Sequence, residues 1–142
     1  MSHLRAIYCR TFGPMTPVIR ARFWSDWSHC GIITPDETVL EASFWHGVVE
    51  TDIEDFLARC TKWTEKPIEC PSPTVGIAWA RTQIGKPYDT WGALGLGFNR
   101  EWQSEEDWFC SEYLEQTVVM AGRQRFSSST WRIDPQTSFN VI

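Results

Sequence analysis

From Arg5 to Phe12 apolar and polar residues alternate well enough to predict a first strand. Gly13-Pro14-Met15-Thr16-Pro17 then breaks the pattern and leads into Val18 to Trp24, which reads as a helical turn. His29 to Thr34, the turn-rich Pro35-Asp36-Glu37 and Thr38 to Ser43 have the β-branched content and punctuation of a hairpin. His46 to Glu50 continues the sheet. Thr51-Asp52-Ile53-Glu54 places a capping residue three before a carboxylate, so a helix is predicted from there to about Cys60. Trp63 to Glu69 alternates as another strand until Pro71 and Pro73 stop it. Thr74 to Ile84 has helical spacing through Val75, Ala78, Trp79 and Thr82, with Gly85 just past its end. A further helical piece is expected over Tyr88 to Phe98. Its Gly92, Gly95 and Gly97 lack the preceding strand and the spacing of a dinucleotide fingerprint, and are assigned to close helix packing. The clearest helix runs from Asp107 to Ala121, with Cys110, Leu114, Val118 and Ala121 on one stripe and Gly122 as terminator. Ser104-Glu105-Glu106-Asp107 puts carboxylates where the helix dipole favours them. The tail from Arg123 to Ile142 reads as irregular.

Length and composition narrow this picture. The 142 residues are expected to form one domain, and 42% hydrophobic with 22% charged residues excludes wholesale disorder. Nine Trp and an aromatic fraction of 14% suit a small core equally with platforms for sugars, peptides or lipid interfaces. A net charge of −5, from 13 Lys and Arg against 18 Asp and Glu, argues against nucleic acid as a partner. The basic residues are scattered except for Arg20 with Arg22 and Arg123 with Arg125, which are ordinary solvated charges or a local anion site. The N-terminus lacks a secretory leader and no apolar run reaches the roughly 18 residues of a membrane span. A soluble product made in the cytoplasm, with no integral membrane segment, is expected. Five cysteines, an odd number without a close pair, point to reduced thiols. Zinc would want clustered ligands, and the nearest combination, His29 beside Cys30, points to opposite faces of a strand. No metal is expected.

Chemistry converges on Cys110, in the opening turn of the clearest helix. There the unsatisfied backbone amides and the positive end of the dipole stabilise a thiolate, and the same amides are oxyanion-hole donors. The plainer reading is a small buried hydrophobe, since Cys110 also lies on the apolar stripe. A nucleophile needs a base. His3 sits in a terminus expected to fray, His46 beside a turn, and His29 at the start of the hairpin. If Thr34 pairs with Thr38, Gly31 opposes Glu41 and His29 is its diagonal neighbour, within reach of a long side chain. Glu41 then orients one imidazole nitrogen and leaves the other to face a thiolate, in the manner of a triad. A surface pair is the plainer reading of those two residues.

The order Ser28-His29-Cys30-Gly31-Ile32-Ile33, Val39-Leu40-Glu41-Ala42, Gly47-Val48, Ile84-Gly85-Lys86-Pro87-Tyr88-Asp89 and Trp108-Phe109-Cys110-Ser111-Glu112 resembles a known family. It is that of the permuted, YiiX-like branch of the NlpC/P60 superfamily of papain-like cysteine hydrolases, in which the histidine strand comes first and the cysteine helix last. The resemblance implies an α+β fold, a circularly permuted papain-like arrangement with a small antiparallel sheet or barrel packed against helices. It implies Cys110 as nucleophile, His29 as general base and Glu41 as the orienting residue. Tyr88 and Asp89 match a mainly structural family segment, and Trp131 to Pro135 looks like the family's closing stretch. Two departures stand out. Met120 occupies the place of a tyrosine that some members carry near the cleft, which implies a different substrate selection. Cys30 replaces a common valine, a change of little consequence on the opposite strand face.

The resemblance implies cleavage of an amide, in peptidoglycan stem peptides, through a thioester and without metal or cofactor. Trp24, Trp27, Trp45 and Trp108 lie close in sequence to the triad, and Trp27, Trp45, Trp108 and Tyr88 are the candidate substrate-binding residues. Two other readings are a lipid acyltransferase or thioesterase like the lecithin:retinol acyltransferase group, and a non-catalytic aromatic-cleft module of a phage or secretion assembly. A wall hydrolase without a leader would need delivery by a phage particle or a secretion system.

Overall fold

Leu4, Ala6 and Tyr8 alternate with Ile7 and Cys9 along β1 (His3–Thr11), and the two sets enter different apolar clusters. A strand with a buried side chain at every position from Leu4 to Cys9, bar Arg5, belongs in the middle of a sheet covered on both faces. In the computed structural model, which describes residues 2–11, 27–43, 46–87, 110–126 and 135–141, that sheet has five antiparallel strands in the order β4-β3-β2-β1-β5. The other strands are β2 (His29–Ile33), β3 (Thr38–Ser43), β4 (Gly47–Asp52) and β5 (Cys60–Glu69). The described helices are α1 (Ile53–Ala58), α2 (Pro73–Thr82), α3 (Cys110–Met120) and α4 (Pro135–Asn140). The architecture is α+β, as expected.

One face carries Ala6, Tyr8, Cys30, Ile32 and Leu40 against Cys110, Tyr113, Leu114 and Val118 of α3, with α2 and α4 packed on α3 in turn. The other carries Ile7, Cys9, Ile33 and Val39 against Phe56 of α1. The hairpin register is the expected one: Ile32 pairs with Leu40, Ile33 with Val39, and the Thr34 N–H donates to the Thr38 carbonyl at 2.8 Å. Continuing that register sets Gly31 opposite Glu41. A Cβ at Gly31 would lie 2.8 Å from Val39 Cγ1 and 2.9 Å from the Leu40 carbonyl oxygen, so the hairpin closes this tightly only around glycine.

Several boundaries differ from expectation for tertiary reasons. His3 does not fray: it pairs with Glu69 on β5. Strand β5 begins at Cys60 rather than Trp63, because β1 continues to Thr11 and pairs with it across an irregularity in register. As an edge strand it tolerates Pro67 and carries Lys62, Glu65 and Lys66. Helix α1 is capped at Asp52, without a side-chain hydrogen bond, and Thr51 stays in β4, so no capping box forms. Gly122 does terminate α3, at φ 95°. The tail is not irregular throughout. Ser138 of α4 lies 2.8 Å from the Tyr8 hydroxyl and donates to Glu115 at 2.5 Å, and Phe139 packs edge-on against Tyr8. These contacts to β1 and α3 order a helix that Pro135-Gln136-Thr137-Ser138-Phe139-Asn140 does not encode by periodicity. The expected elements at Val18 to Trp24 and Tyr88 to Phe98, the residues Ser104 to Phe109 and Trp131 to Asp134 lie outside the described residues. Among the described residues no helix is long and apolar enough to cross a membrane.

Candidate active site

His29 opens β2, and its side chain lies on the α1 side of the sheet, stacked on Phe56 with ring centroids 5.9 Å apart and an interplanar angle of 28°. Glu41, two residues past Val39 on the same strand face, is fully buried. Its Oε1 lies 2.9 Å from His29 Nε2, so the diagonal relation expected from the register becomes a direct hydrogen bond. A carboxylate this deep would be costly to keep ionised on one partner. A second partner is present: Arg59, the residue that caps α1, donates from Nη2 to Glu41 Oε2 at 2.5 Å while its guanidinium sits over the Phe56 ring, 5.2 Å from the centroid. Burial alone would raise the Glu41 pKa. The hydrogen bonds and positive charges of His29 and Arg59 outweigh it and hold the carboxyl below its usual range.

Cys110 is the first residue of α3 as described and is fully buried where that helix packs on β2 and β3. Burial pushes its thiol up. A hydrogen bond from the Cys30 thiol, one from His29, the imidazolium charge and the Cys30 backbone N–H together bring it down to about 5. His29 is the mirror case. Burial works against its charged form, but hydrogen bonds to Cys110 and Glu41 and the charges of both raise it to about 10. Both shifts favour a thiolate beside an imidazolium. With Nε2 committed to Glu41, Nδ1 is the nitrogen left to face the sulfur.

The structure thus brings together Cys110, His29 and Glu41 from three separate elements. Trp27, expected as a substrate contact, is buried and packs against Phe139 at 5.4 Å, with the Lys62 ammonium 5.0 Å from its ring centroid; it fills the core. Trp45, Trp108, Tyr88, Asp89 and Trp24 lie outside the described residues. His46 is exposed in the turn before β4. Met120 stands at the far end of α3, about 15 Å along the axis from Cys110 at 1.5 Å per residue, so this position does not reach Cys110 along its helix. Arg125 is no anion site: it forms a buried ion pair with Glu115 and donates to the Ser138 and Val141 carbonyls. Arg123 donates to the Glu69 carbonyl.

Three contributors escaped the sequence reading. Arg59 carries no local motif, and Phe56 reads as one apolar position of a short helix. Cys30 does leave β2 on the face opposite His29, yet α3 begins at the end of that strand and its first sulfur meets both.

No family model matches the chain, and no curated protein matches it. Among solved structures, the metalloprotein YiiX from Escherichia coli O157:H7 matches with a TM-score of 0.71 over 99% of this chain and 92% of that one, at 16% identity. The chain has a YiiX-like fold. The likeness is one of backbone path. YiiX is named a metalloprotein. In this YiiX-like chain no three His, Cys, Asp or Glu side chains among the described residues are grouped to hold a metal ion, and both Glu41 oxygens are engaged by His29 and Arg59. These residues do not fit a metal centre.

Proposed function

We propose that this protein is a cysteine hydrolase that cleaves an amide bond through a thioester, with a peptidoglycan stem peptide as its substrate class. The observation that carries the reading is the convergence of Cys110, His29 and Glu41 with the thiol and imidazole held as an ion pair. The Cys110 thiolate attacks the carbonyl carbon. Charge develops on the carbonyl oxygen beside the first described turn of α3, where the positive end of the helix dipole favours it. His29 passes its Nδ1 proton to the departing amine, and the C–N bond breaks to leave an acyl group on sulfur. A water then attacks the thioester while His29 takes its proton, and the acid leaves with the thiolate restored. Through both steps Glu41 accepts from Nε2–H, fixes the ring and stabilises the imidazolium, and Arg59 keeps Glu41 ionised.

The choice of a wall peptide over an acyl lipid rests on the likeness of the motifs to the permuted NlpC/P60 hydrolases. Incubation with purified peptidoglycan fragments and, in parallel, a fluorogenic lipid ester separates the two, with mass spectrometry of both products and of Cys110. New stem-peptide ends that vanish in Cys110→Ala support the proposal. Acyl adducts on Cys110 from the lipid alone would move the protein to acyl transfer. Silence on both substrates with an unreactive thiol would leave a binding module.

A further inference from the structure

Cys30 meets the Cys110 sulfur in two ways: through its own thiol and through its own backbone N–H. Both side chains are fully buried in one apolar cluster, where the start of α3 lies on β2. A residue whose amide and side chain both touch the same sulfur holds its Cα close to that of the partner, and a disulfide needs Cα atoms about 4.4 to 6.8 Å apart. The other thiols are placed differently. Cys9 and Cys60 hydrogen-bond each other on the α1 side of the sheet, and Cys70 lies past the end of β5.

We propose that Cys30 is the resolving thiol of Cys110: a hydroperoxide that reaches the nucleophile is reduced, and the two cysteines close into a disulfide that switches the site off reversibly. The inference rests on the hydrolase reading for the identity of the nucleophile, and on the Cys30 contact for the rest. The division of labour suits the two sulfurs. Cys110 is held as the thiolate that attacks peroxide, while burial and the neighbouring Cys110 charge keep Cys30 a protonated thiol. The Cys110 sulfur attacks one peroxide oxygen, the O–O bond breaks, and the departing hydroxide takes a proton from His29 to leave as water, giving Cys110 sulfenic acid. Cys30 sulfur then attacks the sulfenic sulfur, the S–OH bond breaks, and the hydroxide leaves as a second water with the Cys30 proton. Two thiols lose two electrons and one hydrogen peroxide gains them. Any opening that admits a substrate carbonyl to this buried sulfur also admits a molecule as small as peroxide. The disulfide intercepts the sulfenic acid before it reaches the irreversible sulfinic stage.

The test treats the whole chain with a several-fold molar excess of hydrogen peroxide, blocks remaining thiols with N-ethylmaleimide and maps the peptides by mass. A cross-linked Cys30–Cys110 peptide lacking two hydrogens, released by dithiothreitol with full return of the Cys110 thiol, is expected. In Cys30→Val the same dose should carry Cys110 to a product with two added oxygens that dithiothreitol does not reverse. Cys30→Ala, checked for fold by circular dichroism, guards against a packing artefact of valine. Equal overoxidation of Cys110 in the unaltered chain and in both variants, or a cross-link from Cys110 to Cys9 or Cys60, would overturn the inference. The mass readout needs no substrate. A cross-link in a chain that hydrolyses nothing would count against the hydrolase reading alone, and hydrolysis without a cross-link against this inference alone.

Discussion

Arg59 Nη2 lies 2.5 Å from Glu41 Oε2, the oxygen that His29 leaves free. The contact ties the end of α1 to the centre of the sheet, and it is half in solvent, since the Arg59 side chain is 43% exposed against 0% for Glu41. Its effect is to hold a buried carboxylate ionised, so that His29 stays oriented and charged.

Replacing Arg59 by Met should lower kcat by about tenfold, the equivalent of one charged hydrogen bond of roughly 1.4 kcal/mol, with KM little changed. The loss of a positive charge near Glu41 and Cys110 should also move the acid limb of the rate profile to higher pH, and Arg59→Lys should recover part of both. An unmoved acid limb in Arg59→Met would reduce the residue to a structural role.

Within the triad the losses should be unequal. His29→Ala removes the base and should abolish turnover, whereas Glu41→Gln keeps a hydrogen-bond acceptor and should retain measurable activity, because Glu41 orients the ring and does not handle the reacting proton. Steady-state kinetics on stem-peptide fragments decides this, and turnover near the unaltered level in His29→Ala would discard the assignment.

The thiolate can be read without substrate. Since the Cys110 pKa is lowered to about 5, the charged sulfur exists above that pH, whereas an ordinary cysteine ionises near about 8.5. The difference in ultraviolet thiolate absorbance between the unaltered chain and Cys110→Ser should therefore appear as pH rises through about 5 and remain at all higher pH. A lowered folded-state pKa also means that the stability contributed by Cys110 is complete above the unfolded thiol pKa and is lost as pH falls through about 5. A single transition near about 8.5 would contradict the ion pair.

Gly31→Ala tests the link between the fold and the site. The added methyl meets Val39 Cγ1 and the Leu40 carbonyl oxygen at under 3 Å, and backbone cannot rotate away as a side-chain tip can. Denaturant melts should show a loss of about 1 to 3 kcal/mol. Activity should fall with it, because the strand that must shift carries Glu41.

The Arg125–Glu115 pair sits apart from the site, with both side chains 1% exposed and Ser138 bonded to each partner. Arg125→Met leaves a buried carboxylate uncompensated and should cost about 3 to 5 kcal/mol. The double change with Glu115→Met should return most of that in a double-mutant cycle, and no recovery would mean that Arg125 acts by its carbonyl contacts instead.

The hairpin, its register and the pairing of His29 with Glu41 were legible in the chain because they are local. A period of two, a short turn and one anchoring pair of threonines decide which side chains share a face. The helix that begins near Cys110 was legible for the same reason, from its apolar stripe and terminating glycine. What periodicity could not supply is any contact between elements far apart in the chain. Arg59 meets Glu41 only because α1 turns back on the sheet, and α4 is helical only because Tyr8, Glu115 and Arg125 bond and pack against it. Strand parity correctly sent His29 and Cys30 to opposite faces. Only the docking of α3 at the strand end let one sulfur touch both. The sequence by itself determined the local frames on which Cys110, His29 and Glu41 are mounted. Tertiary structure alone decided their partners, since burial, pairing of charge and contact between sulfurs depend on distances in space that no spacing along the chain encodes.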